Sequence, residues 1–227
     1  MPVAYARAFT SSEVLEHEKI VARRGGRMVH AEICVGPSGE HVCVVAEDRP
    51  GLLALITDAL LVHGLSIRQA KVYCRERADG PSEVVDFFQL QHSQGPVELR
   101  IGSAELGAFV QTLGELVAED VLAASRPSVA PPSNLPPTRA YFELEAPRRD
   151  QATLRVEAPD RDGLLNAISN ALAAQNVRIC ASEIRTEDGI AHDRFDLATS
   201  DGQAFTAVRL CDIQQAVLAA LPKLGRR

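Results

Sequence analysis

The chain has 227 residues, 24% of them charged and 46% hydrophobic, with a formal net charge of −6. It is apolar enough to fold around one large core or two small ones, and its acidic balance argues against a protein whose main task is to neutralise a phosphate backbone. The five cysteines, Cys34, Cys43, Cys74, Cys180 and Cys211, are widely spaced with no Cys-x-x-Cys pair, which argues against a metal site or disulfide framework and for a reduced interior.

At the N-terminus no basic stretch leads into an apolar one, and no apolar run approaches the length that spans a bilayer, so a cytoplasmic protein off the membrane is expected. Residues 10–24 read as a helix: Thr10 and Glu13 have capping-box spacing, Val14, Leu15 and Val21 follow, and Gly25-Gly26 stops it. Residues 28–35 read as a strand, Gly36-Pro37-Ser38-Gly39 as a turn, and residues 41–46 as a strand returning antiparallel. Asp48-Arg49-Pro50-Gly51-Leu52-Leu53 then leads into an apolar helix of about fourteen residues that stops near His63-Gly64. Strands over residues 66–74 and 83–91, joined by Arg77-Ala78-Asp79-Gly80-Pro81, precede a helix over residues 103–120 with Leu106, Phe109, Val110, Leu113, Leu116 and Val117 on one face.

The turn recurs as Asp160-Arg161-Asp162-Gly163-Leu164-Leu165, at an offset of 112 residues measured from Gly51 to Gly163. Val42, Val44 and Ala46 fall on Leu154, Val156 and Ala158, and Leu53, Ile56, Ala59 and Leu60 fall on Leu165, Ile168, Ala171 and Leu172. Ile67 and Val72 fall on Ile179 and Ile184, so type and spacing match from residue 42 to residue 72 and identify a duplicated unit. The second half repeats the order with strands over residues 141–144, 152–158, 178–185 and 190–198 and helices after the hinge and over residues 206–221. Between the halves, Pro127, Pro131, Pro132, Pro136 and Pro137 read as a stiff, extended tether.

The expected organisation is an N-terminal helical segment (residues 1–27), a first domain (28–122), a proline-rich linker (123–137) and a second domain (138–227). Each half runs strand, strand, helix, strand, strand, helix. This is an α+β pattern of the ferredoxin-like βαββαβ type, with an antiparallel four-stranded sheet whose leading hairpin strand fills one edge. The leading strand of the second half could instead complete the sheet of the first. Opposite Val42, Val44 and Ala46 the first half carries Cys43 and Val45, whereas the second carries Arg155 and Glu157. One open sheet face is therefore expected to be covered, by the N-terminal helix or a second subunit, and the other to be wet.

At each hinge an acidic residue can cap the helix, and glycine permits a close approach. A helix N-terminus at the end of a strand also offers free amides to a carboxylate. A strand followed by Asp-Arg-Pro-Gly-Leu-Leu, an apolar helix, Gly-Leu-Ser-Ile and a later Val-Val-Asp-Phe-Phe (Val84, Val85, Asp86, Phe87, Phe88) resembles the ACT domain, a small regulatory ligand-binding module. The resemblance covers residues 28–122 and 138–221. Pro136-Pro137-Thr138 and the helix containing His17 resemble the tandem pair that ends the bifunctional uridylyltransferase/uridylyl-removing enzymes of nitrogen control.

The resemblance implies two ACT domains able to pair their sheets side by side, with ligand sites where the hinge of one domain faces an edge strand of its neighbour. Carried onto this chain, Asp48, Arg49, Pro50, Gly51 and Leu52 would hold an amino acid's charged groups, and Ser66, Ile67 and Arg68 its side chain. The second site would use Asp160, Arg161, Asp162, Gly163 and Leu164 with Arg178, Ile179 and Cys180. Asp162 stands where the family usually has proline and makes that cradle more negative. Such a site binds and does not catalyse, and it implies no cofactor.

Asp86 and Asp193 share a strand face with Phe88 and Phe195, two residues on, where half-buried carboxylates with structural partners are expected and a ligand role is the alternative. His63 is expected in solvent near a helix end, and His17, His30, His41, His92 and His192 lack metal-ligand spacing. With no nucleophile elbow, P-loop or dinucleotide fingerprint, no enzyme activity is expected. The leading expectation is an amino-acid sensor, with glutamine as the ligand by analogy. The alternative is a regulator resembling the glycine cleavage system repressor, acting through a protein partner. A homodimer is compatible with either, and direct nucleic-acid binding ranks last because aromatics make up only 4% of the chain.

Overall fold

The computed structural model describes residues 3–37, 39–77, 80–93, 100–119, 138–143 and 149–221. The chain opens with a six-residue helix, α1 (Val3–Ala8), too short to leave a periodic signature in the sequence. The next helix, α2 (Ser11–Arg24), is capped by Thr10 in a complete capping box. β1 (Val29–Gly36) and β2 (Gly39–Glu47) form the expected hairpin. α3 (Leu52–Val62), at 11 residues, is shorter than the apolar run suggested. β3 (Leu65–Arg75), β4 (Glu83–His92) and α4 (Ser103–Glu119) complete the first half. The second half repeats it as β5 (Arg139–Phe142), β6 (Gln151–Pro159), α5 (Leu164–Ala174), β7 (Val177–Glu187), β8 (Ile190–Thr199) and α6 (Ala207–Ala220).

All eight strands join one antiparallel sheet in the order β1-β2-β4-β3-β7-β8-β6-β5. Each half thus contributes four strands with its own leading strand at the outer edge. β5 pairs with β6, placing Ala140 opposite Val156, and does not complete the sheet of the first half. The halves meet at β3 and β7, where Val72 lies opposite Ser182 and Tyr73 opposite Ala181. The proposed linker lies outside the described residues, as do Ser38, Ala78 and Asp79 of the two expected turns.

Alternation along the strands sorts side chains to two faces. Val42, Val44, Ala46, Val72, Val84 and Phe88 point to the helical side and meet Leu55, Ile56, Phe109 and Leu113; Leu154, Val156, Phe195, Ile168 and Leu172 do the same in the second half. α3 is buried from Leu52 to Leu60, because the sheet, α4 and α5 all pack on it, and its all-round apolar sequence matches that position. Burying such side chains contributes about 25 cal/mol per Å² of apolar surface removed from water, the main term holding the layers together.

The opposite face differs between the halves, as the sequence alternation anticipates. In the first half α1 and α2 lie over Cys43, Val45, Val85 and Phe87 and add Tyr5 and Ile20, with Phe9 and Val14 packed alongside. The Tyr5 hydroxyl and His17 Nδ1 share a hydrogen bond of 2.9 Å inside this aromatic cluster. Phe87 is therefore covered and offers no platform for a base. In the second half the same face carries Arg155, Glu157, Glu183, Arg185, His192 and Arg194 around an open depression of about 430 Å³. No helix among the described residues is long and apolar enough to cross a membrane.

Candidate functional site

The two hinges are built alike. Gly51 and Gly163 adopt φ values of 78° and 77°, in the left-handed region that favours glycine, and each occupies the N-cap position of the helix that follows. Neither helix has a side-chain cap, so Asp48 and Asp160 do not play the capping role their place in the sequence suggested. The tight glycine turn puts the N-cap three residues past the acid and frees the carboxylate for other partners. Asp160 Oδ2 accepts from Thr186 Oγ1 at 2.9 Å, and the Cys74 thiol stands in the equivalent relation to Asp48.

Each hinge borders a cavity of about 30 Å³, which at ~10–15 Å³ per water has room for two or so waters. The first is lined by Asp48, Arg49, Pro50, Gly51 and Leu52 together with Arg178 and Ile179 of the other half. The second is lined by Asp160, Arg161, Gly163 and Leu164 together with Ser66 and Ile67. The groupings expected from sequence are thus crossed: Ser66 and Ile67 face the second hinge, while Arg178 and Ile179 face the first. The cause is the antiparallel β3–β7 seam, which carries the start of each strand past the hinge of the opposite half. Arg68 and Asp162 are exposed, and neither they nor Cys180 line either cavity.

At the mouth of the first cavity, Arg178 Nε lies 3.6 Å from Asp48 Oδ2. Burial pushes the Asp48 carboxyl above its usual range, and the guanidinium pulls it part of the way back. Arg49 Nη1 donates to the Val117 carbonyl at 2.8 Å, tying this hinge to the end of α4. Deeper in, Asp86 lines the first cavity and Asp193 the second, at 1% and 3% exposure. They are more enclosed than the half-buried carboxylates expected. One oxygen of each has no hydrogen-bond partner, and burial drives both carboxyls well above the ordinary carboxylate range.

Helix α5 reaches the first cavity through Ser169, whose buried hydroxyl also lacks a partner, and α3 reaches the second through Thr57. The two helices are joined by Asn166, whose Nδ2 donates to Thr57 Oγ1 at 3.1 Å and Asp58 Oδ1 at 2.6 Å. Sequence reading passed over these residues. The signal was there in Thr57 and Asp58, and in Asn166 and Ser169, small polar groups inside otherwise apolar helices. His63, expected in solvent, is half-buried and shares a 3.0 Å hydrogen bond with Thr112 Oγ1.

A small pocket at the meeting of a strand, a glycine turn and a helix N-terminus is thus repeated across a shared sheet. Residues 148–209 match the ACT domain family, and the first half repeats the same strand order and hinge. The chain is 27% identical over 236 residues to the bifunctional uridylyltransferase/uridylyl-removing enzyme of Phenylobacterium zucineum, covering 98% of this chain and 24% of that enzyme. The enzyme of the same name from Rhodospirillum rubrum is 26% identical over 228 residues, with 96% and 24% covered. That of Ruegeria pomeroyi is 30% identical over 182 residues, with 78% and 19% covered. The chain therefore spans about a quarter or less of the length of these relatives. Among solved structures, aspartate kinase from Synechocystis overlaps 79% of this chain and 26% of its own at 17% identity and a TM-score of 0.41.

Proposed function

We propose that the chain is an amino-acid-sensing regulatory unit that binds a small amino acid at its hinges and does no chemistry on it. The observation that carries this reading is the crossed wall of each cavity: the hinge comes from one half and the strand start from the other. Amides at the helix start would receive the ligand carboxylate, and Asp48 with Arg178, or Asp160 with Ser66, would flank the remaining polar groups. The cavities hold about two waters as they stand, so a ligand must displace solvent and ease the halves apart at the β3–β7 seam. Occupancy is thereby coupled to the relative setting of the halves, by about 1–3 kcal/mol for typical allosteric coupling.

Glutamine is the first ligand to test, because the relatives act in uridylyl transfer and the resemblance points to nitrogen control. Isothermal titration of the folded chain against the twenty amino acids tests the reading. Saturable heat with glutamine or another amino acid supports it, and no heat with any of them removes it. The open charged face of the second half, lined by Arg155, Glu157, Glu183 and Arg194, favours a protein partner as the listener, as in a regulator that acts through another protein. Retention of one defined protein by immobilised chain, lost after charge reversal at Arg155 and Arg194, supports that second reading.

A further inference from the structure

Asp86 and Asp193 are equivalent positions, set opposite Val44 and Val156 in the register of β2 and β6. Val44, Val156 and Ile184, which lie directly opposite them, are apolar, and an aliphatic residue at either place would bury at lower cost than a carboxyl. Both copies nonetheless carry aspartate. Each is almost wholly enclosed, each lines the hinge cavity of its own half, and each leaves one oxygen without a partner. One oxygen of Asp86 accepts the Tyr73 amide, so half of that carboxyl has a structural partner and the other half does not.

We propose that Asp86 and Asp193 are the cation subsites of the two hinge cavities, each taking the ammonium group of a small primary amine. The inference rests on the hinges as ligand sites and goes beyond that reading by assigning the counter-charge to a residue outside the hinge motif. In the first cavity Asp48 and Arg178 already neutralise one another at the mouth, so an added cation needs a further anion. Asp86 supplies it from the floor, with the Ser169 hydroxyl beside the same space and the Cys74 thiol on the strand next to it. In the second, Asp193 faces Asp160 and Arg161 from the hinge, Thr186 from β7 and Asn166 from α5.

Because burial favours the neutral acid in the empty cavity, taking up an ammonium group ionises the carboxyl and releases its proton to solvent. Binding therefore tightens as pH rises toward the carboxyl's raised value. The residue that gives up the proton is the one that holds the cation, so charge balances at each site.

The test is a titration of the full, carbon-13-labelled chain with methylammonium chloride, against sodium chloride at the same ionic strength, reading the side-chain carboxyl resonances. Saturable movement of Asp86 and Asp193 toward the ionised position, with methylammonium only, is expected. Asp86→Asn should weaken binding at the first hinge at least about tenfold and leave the second unchanged, and Asp193→Asn the reverse. Asparagine matches the neutral acid in shape, and if either variant fails to fold, the titration of the unaltered chain decides. Equal response to sodium, no saturable response, or undiminished binding by the variants overturns the proposal and leaves the free oxygens to water. If methylammonium binds and no amino acid does, the amino-acid reading fails while the cation subsites stand. If an amino acid binds Asp86→Asn and Asp193→Asn as tightly as the unaltered chain, the subsites fail and the sensor stands.

Discussion

Arg178 and Asp48, from opposite halves of the duplicated chain, lie 3.6 Å apart across the seam where the two halves of the sheet join. The carboxylate side chain is 5% exposed and the guanidinium 37%, so the pair is half-wetted and its contribution is screened from the cation side. Arg178→Ala should cost about 1 kcal/mol or less in global stability after that screening. It should also raise the Asp48 carboxyl further, since the cation that opposes burial is gone. Chemical denaturation and carboxyl titration of the variant check both effects, and a resonance of Asp48 that titrates unchanged contradicts the contact.

The buried acids make stability fall as the solution becomes more alkaline. Asp86 and Asp193 have folded values raised well above those of the unfolded chain. Their favourable contribution is therefore complete below the unfolded carboxyl range, near pH 4, and is lost as pH rises through the folded value, by at most ~1.4 kcal/mol per pH unit for each group. Asp86→Asn and Asp193→Asn remove that slope. Urea melts from pH 4 to pH 8 should show each variant equal to or less stable than the unaltered chain at the acid end and gaining on it toward neutrality.

Asn166 joins α5 to α3 through Thr57 and Asp58. Asn166→Ala removes the donor and strips a partner from two buried acceptors, a cost of about 1–3 kcal/mol. Because the bridge spans the halves, the loss should appear as a less cooperative thermal transition as well as a lower midpoint. A variant that melts in one transition at the original temperature would show that the bridge contributes nothing.

The cover formed by α1 and α2 depends on Phe87 and the aromatic rings around it. Phe87 is 2% exposed and packs against Tyr5, Phe9 and His17. Phe87→Ala should cost about 3–5 kcal/mol, the range for emptying an aromatic site in a core. Amide exchange should then rise across residues 3–24 more than across the second half, because only the first sheet face loses its lid.

Much of this architecture was legible in the residues. The repeated hinge set the two halves, and Cys43 and Val45 against Arg155 and Glu157 told the covered face from the wet one. The site was half legible. Local spacing marked both hinges and both strand starts, but which hinge meets which strand is decided by the β3–β7 pairing between residues far apart in the chain. Asp48 and Asp160 looked like helix caps because capping rules count residues along the chain, whereas the left-handed glycine turn swings each carboxylate away from the helix. Asp86 and Asp193 looked half-buried because alternation assigns a face and cannot say how completely α3 and α5 close over it.

The crossed walls of the two hinge cavities are tested most directly by mapping backbone amide shifts on adding the amino acid that binds. Residues Arg49 to Leu52 should move together with Arg178 and Ile179, or Arg161 to Leu164 together with Ser66 and Ile67, each set drawing on both halves. Shifts that stay within one half, pairing the first hinge with Ser66 and Ile67 or the second with Arg178 and Ile179, would contradict the seam as the place where the ligand is held.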